Sequence, residues 1–158
     1  MGNSIKLFIS YSWTSQDHET WVLNLAKELV ENGVHVVIDK WDLKEGQDSY
    51  SFMEKMVSDT EIQKVLIISD KKYADKANGR DGGVGTETQI ISAEVYKNRQ
   101  QEKFVAAVVE RDETGEAYLP VYYKSRIYID FCEPEIMQIV LKNYFVGYMI
   151  NLYTNVLL

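Results

Sequence analysis

Five short apolar runs, rich in valine and isoleucine and separated by stretches of helical periodicity, constrain this chain more than any other feature. They fall at 6–11, 34–39, 65–69, 104–109 and 127–131. Runs of this length and composition read as strands covered on both faces. Strand-like runs alternating with helical patterns are the mark of βα units that wind a parallel sheet between helical layers. The expected architecture is a three-layer α/β domain with a central parallel five-stranded sheet flanked by helices.

Between the first two runs, Trp21, Val22, Leu25 and Leu29 recur at helical spacing, with Ser15 or Asp17 available as a cap. Gly33 stands where that helix needs a left-handed stop. A second helix is expected over 50–57. A third is expected over 86–99, where Ile90, Ile91, Ala93, Val95 and Tyr96 supply the apolar positions. The stretches 40–49 and 70–85 read as irregular loops after strand carboxyl ends, the edge of an open α/β sheet where ligands bind.

The domain is expected to occupy 1–132, with 133–158 as an apolar helix that completes it or leads into a further domain. In that tail Ile136, Ile139, Val146, Met149, Ile150 and Leu157 keep helical spacing, but Leu141, Tyr144 and Phe145 make it apolar almost all round. Lys142, Asn143, Asn151 and Asn155 interrupt it before any run reaches the ~18 apolar residues a membrane span requires. Such a helix is expected to pack partly on the domain and partly on a second copy or a following domain.

The formal charge of −7 over 158 residues supplies no net positive field for nucleic acid or an anionic membrane surface, and neither is expected as a partner. Cys132 is the only cysteine, so no intrachain disulfide can form. The first residues show no secretory pattern, and a cytoplasmic location is expected. A P-loop and a glycine-rich dinucleotide turn are both missing. His18 and His35 are isolated, so no metal site is expected.

Three segments occur in a telling order: Phe8, Ile9, Ser10, Tyr11 and Ser12 ending the first strand; Trp41, Asp42, Lys44 and Gly46 within 39–48; and Gly82, Gly83, Val84 and Gly85 leading to Glu87. Together they resemble the first box, the BB loop and the glutamate segment of the Toll/interleukin-receptor (TIR) superfamily, most closely a bacterial SEFIR domain. The resemblance covers about 5–131 and implies a TIR/flavodoxin-like fold. It also implies a signalling or defence effector that self-associates with other SEFIR or TIR domains and cleaves NAD+, a substrate and not a cofactor, at the nicotinamide–ribose bond. The resemblance places Glu87 on the catalytic carboxylate, with Glu94 as the fallback. Ordinary glycosidases need a second acid to protonate an oxygen leaving group. Nicotinamide leaves neutral from a cationic nitrogen, so one carboxylate suffices to stabilise an oxocarbenium-like transition state.

An acid in a first helical turn also complements the helix dipole without any function. Ser10, Tyr11 and Trp41 are candidate pocket residues, with rings to stack on a base and hydroxyls to reach ribose or phosphate; they can equally be covers for the strand ends. Trp41, Asp42, Lys44 and Gly46 are the candidate interface, since the family uses this loop for docking and tryptophan is enriched at binding hot spots. The alternative reading is a non-catalytic homotypic adaptor.

Overall fold

The computed structural model describes residues 5–79, 90–99 and 101–132. Five parallel strands, β1 (Lys6–Ser10), β2 (His35–Val37), β3 (Lys64–Ser69), β4 (Phe104–Val108) and β5 (Ile129–Asp130), lie in the order β2-β1-β3-β4-β5. The chain winds one way from β1 to β2 and the other way from β3 onward. The carboxyl ends of β1 and β3 therefore flank a topological switch point, where sheets of this kind open a crevice.

Side chains alternate across each strand, so the two faces carry separate cores. On one face Leu7, Ile9, Leu66, Ile68 and Ala107 meet Val22, Leu25, Ala26 and Leu29 of helix α1 (Gln16–Glu31). On the other, Phe8, Val65, Ile67 and Val108 meet Met53 and Val57 of α3 (Ser49–Ser58), with Tyr73, Val95 and Tyr96 from helices further along. Double burial explains why the strands read as near-continuous apolar runs.

The ends of α1 follow from sequence. Ser15 Oγ accepts from the His18 amide at 3.1 Å, and Asp17 and Glu19 occupy the positive first turn. At the other end Gly33 takes φ +91°, the Val34 amide donates to Leu29 O at 3.0 Å, and the Gly33 amide donates to Val30 O at 3.0 Å. This paired reversal satisfies carbonyls that the helix leaves open.

Several expectations need correction. The second strand stops at Val37, because Ile38 is already the residue before a helical turn, α2 (Asp39–Asp42). Strands one, four and five likewise end at Ser10, Val108 and Asp130, each a residue short of the expected limit, and the fifth begins only at Ile129. The stretch 70–85 is not wholly irregular: α4 (Lys71–Ala77) starts where Asp70 Oδ1 accepts the Tyr73 amide at 2.9 Å.

The third helix is shorter than its periodicity suggests. In the described part, α5 covers only Ala93–Lys97, capped by Ser92 Oγ on the Val95 amide at 3.2 Å. Ile90 and Ile91 precede it as non-helical backbone. Ile91 finds side-chain partners for its amide and carbonyl, so no helical ladder is needed there. Residues 86–89 and the expected tail helix at 133–158 lie outside the described residues.

Candidate functional site

The carboxyl edge of the sheet collects three segments that are distant in sequence: 10–14 after β1, 38–48 after β2, and 69–73 after β3. At its centre Asp39 is buried, 7% exposed. Its Oδ1 accepts from Tyr11 Oη at 2.8 Å and from the Lys40 amide at 2.8 Å, and its Oδ2 accepts from Trp13 Nε1 at 2.9 Å. A buried carboxylate is tolerated only when donors surround it in this way. Burial, reinforced by the neighbouring Asp39 charge and hydrogen bond, pushes the Tyr11 phenol far above its usual range, so Tyr11 stays a neutral donor.

A second knot joins β1 to the chain that follows Glu87. Tyr73 Oη, fully buried, pairs with Ser10 Oγ at 2.8 Å and accepts the Ile91 amide at 3.0 Å, while Tyr122 Oη donates to Ile91 O at 2.7 Å. Burial raises the Tyr73 and Tyr122 phenols as well. Both therefore act as fixed neutral struts, and neither is poised as a base.

The loop after β2 is held at both ends. Asp42 Oδ2 accepts the Ile38 amide at 3.0 Å, Lys40 Nζ pairs with Glu19 Oε1 at 2.8 Å, and Asp48 caps α3 through the Tyr50 and Ser51 amides, both at 3.3 Å. Between these anchors the Lys44 amide donates to Gln47 Oε1 at 2.7 Å, and Gly46 makes the turn at φ +85°. Trp41 stays 39% exposed and Trp13 38% exposed on the same edge.

At the switch point itself lies a hollow of about 400 Å³, with Thr14, His18, Trp21, Asp70, Glu110 and Phe131 among its lining. Asp70 Oδ2 accepts from Thr14 Oγ1 at 2.6 Å and lies 3.8 Å from His18 Nε2. Cys132 also borders it; burial pushes its thiol up to about 11, so it carries no thiolate for nucleophilic chemistry at neutral pH.

The candidate residues thus divide by placement. Ser10 and Tyr11 are fully buried, with their hydroxyls on Tyr73 and Asp39. Trp41 is exposed, Asp42 and Lys44 make local contacts within their loop, and Gly46 shapes the turn. Glu87, with the glycines before it, lies outside the described residues. Glu94 is an exposed residue in the first turn of α5. Asp39, Trp13 and Tyr73 were not singled out from sequence. For Asp39 a signal existed, an acid closing an apolar run two residues before a tryptophan; Tyr73 carries none.

The family model for the SEFIR domain matches residues 5–145. A crystal structure of a prokaryotic SEFIR domain is similar over 95% of this chain and 92% of that one, with 40% identity and a TM-score of 0.78. This chain belongs to the SEFIR domain family. The TIR domain of the Toll-related receptor TRR-2 from Hydra magnipapillata shares the fold, with a TM-score of 0.60 at 14% identity, over 89% of this chain and 95% of that one. No curated protein matches the chain. The five-stranded sheet of this SEFIR domain is therefore the TIR/SEFIR fold, and the protein is a signalling domain of that class. Among the described residues no helix is long and apolar enough to cross a membrane.

Proposed function

We propose that this SEFIR domain self-associates through the loop after β2 and cleaves NAD+ at the nicotinamide–ribose bond, with Glu87 as the catalytic carboxylate. The observation that carries this reading is the gathering, at one sheet edge, of the first box, the docking loop and the anchored backbone at Ile91, four residues beyond Glu87. In the reaction the C–N glycosidic bond breaks and its electron pair leaves with nicotinamide. Water then adds to the ribose carbon and releases a proton. Glu87 would stabilise the cationic sugar through charge and ribose contacts. Ser10 and Tyr11 would serve as positioning residues, acting through Tyr73 and Asp39, and exposed Trp41 and Trp13 offer the rings.

A second reading, a homotypic adaptor without catalysis, is favoured by the same burial of Ser10 and Tyr11, whose hydroxyls already have protein partners. Nicotinamide release by concentrated protein separates the two. The catalytic reading expects turnover that falls at least a hundredfold in Glu87→Gln while the circular dichroism spectrum is unchanged. A folded variant that retains wild-type turnover removes Glu87 from the chemistry, and a wild type that releases no nicotinamide in any assembled state leaves the adaptor.

A further inference from the structure

The amino edge of the sheet, opposite the site described above, carries a concentration of positive charge that the overall charge of −7 does not lead one to expect. Residues Val65 and Phe104 are partners in the β3–β4 register, so the residues just before them, Lys64 and Lys103, start neighbouring parallel strands side by side. Arg99, just past the end of α5, joins them around a cavity of about 570 Å³. Ser58, Thr60 and Gln63 also border it, and Glu102 is the one acid in its lining. An adjoining hollow of about 440 Å³ shares Lys64 and Glu102 and adds Arg126.

These cations are half-buried, and their donors are only partly used. Lys64 Nζ donates to Glu102 O at 2.7 Å, and Lys103 Nζ donates to Val57 O at 2.8 Å and Asp59 O at 2.9 Å. An ammonium carries three protons, so among the described residues Lys64 uses one of them and Lys103 two. Arg99 Nη1 donates to Asn98 O at 3.1 Å, and its buried Nε has no hydrogen-bond partner among the described residues. Burial lowers both lysines; Glu102 opposes this at Lys64, and at Lys103 Asp59 opposes it while the smaller effect of the Arg99 charge adds to it. Like charges crowded into a partly desolvated cavity raise its energy unless an anion is present. The cavity volume falls within the range of small-molecule sites.

We infer that the cavity between the amino ends of β3 and β4 is a binding site for a phosphate-bearing small molecule, with its phosphoryl oxygens on Arg99, Lys64 and Lys103. The arrangement suits a diphosphate: a guanidinium that binds oxygens in a plane, two ammonium point charges, and a hydroxyl at Thr60, the Ser58 proton being donated within α3 to Glu54 O at 2.8 Å. This site is independent of the NAD+ reading, and it lies at the other end of the strands from Trp41 and Asp39.

Isothermal titration calorimetry of the intact protein with inorganic diphosphate, and separately with ADP, tests it. Saturable binding of diphosphate is expected, weakened tenfold or more in Arg99→Gln and unchanged in Lys27→Gln, an exposed lysine of α1 away from the cavity. Lys64→Gln provides a second variant in case the first does not fold by circular dichroism. ADP binding more tightly than diphosphate, with the same loss in Arg99→Gln, identifies a nucleotide as the source of the phosphates; equal affinities identify the phosphates alone. No saturable binding of either probe at millimolar concentration, or binding that survives both variants undiminished, overturns the proposal.

Discussion

Asp39 shows how much one side chain can organise. It is a buried acid whose two oxygens take a phenol, an indole and a backbone amide, and so it ties the end of β1 to the start of the loop after β2. Tyr11→Phe keeps the ring and removes one of these donors. The expected loss is about 1–3 kcal/mol of stability, read as a lower urea midpoint with an unchanged slope, because the carboxylate stays buried with fewer partners. The Lys40–Glu19 pair nearby is still partly exposed to solvent, and its removal should cost about 1 kcal/mol or less. Asp48 supplies the pH-dependent counterpart. Hydrogen bonds from Ser51, side chain first and then backbone, hold its carboxyl below the usual carboxylate range. A depressed folded pKa gives stability that is present above the unfolded value of about 4 and is lost as pH falls through the folded one. Asp48→Asn keeps an acceptor for the α3 cap but has no charge to titrate. Its melting temperature should therefore fall less than that of the wild type between pH 5 and pH 2; identical falls would show that this cap contributes nothing to the acid limb.

Among the elements, α1 has both ends written in local sequence, and its stop can be tested alone. A Cβ at Gly33 would meet nothing within 4 Å, so Gly33→Ala isolates the backbone term. At φ +91° that term should cost about 1–2 kcal/mol, measured by chemical denaturation; a neutral result would mean that the turn relaxes to another conformation. The same locality explains what could be read in advance. Double burial makes each strand an apolar run, and α1 shows a full apolar stripe, so both were legible. Helix α4 was not, because Lys71–Ala77 buries only Tyr73, Ala74 and Ala77 among charged neighbours, too short a pattern to register. Asp70 was its cap signal, in a stretch that read as loop. At 90–92 the periodicity misled, since Ile90 and Ile91 are buried through the tyrosine knot and not through a helix. Sequence marks which residues are apolar, but a clamp made by Tyr73 and Tyr122 depends on contacts across 18 and 31 residues, which no local pattern carries. The candidate site divided in the same way: the segments were identified by resemblance, whereas the buried orientation of Ser10 and Tyr11 and the central place of Asp39 emerged only from the packing.

At the scale of the whole molecule, the sheet ends on short edges, three residues at β2 and two at β5, which leaves little ladder to pair with another chain. Association by strand addition is therefore disfavoured, and side chains at the carboxyl edge become the better candidates. Trp41 and Trp13 are exposed there on backbone that Asp39, Asp42 and Asp48 hold in place, so docking would require little ordering of the loop. A contact between this loop and a different face of the next copy is heterologous and propagates as an open array. If a neighbour also completes the proposed NAD+ site, specific activity should rise with protein concentration. Light scattering run beside the nicotinamide assay measures both quantities over a hundredfold dilution series. Trp41→Ala removes an exposed ring without touching the core, and it should reduce assembly and turnover together at a given concentration, by about tenfold or more if the tryptophan is a hot spot. Charge reversal is better placed at Lys44 than at Asp42, because the Asp42 carboxylate holds the Ile38 amide and its loss would disturb the loop itself. Lys44→Glu should therefore weaken assembly while leaving the melting temperature within a degree or two. A Trp41→Ala protein that assembles and turns over like the wild type would move the contact away from this loop, and constant specific activity in a protein that remains monomeric throughout would make the site self-contained.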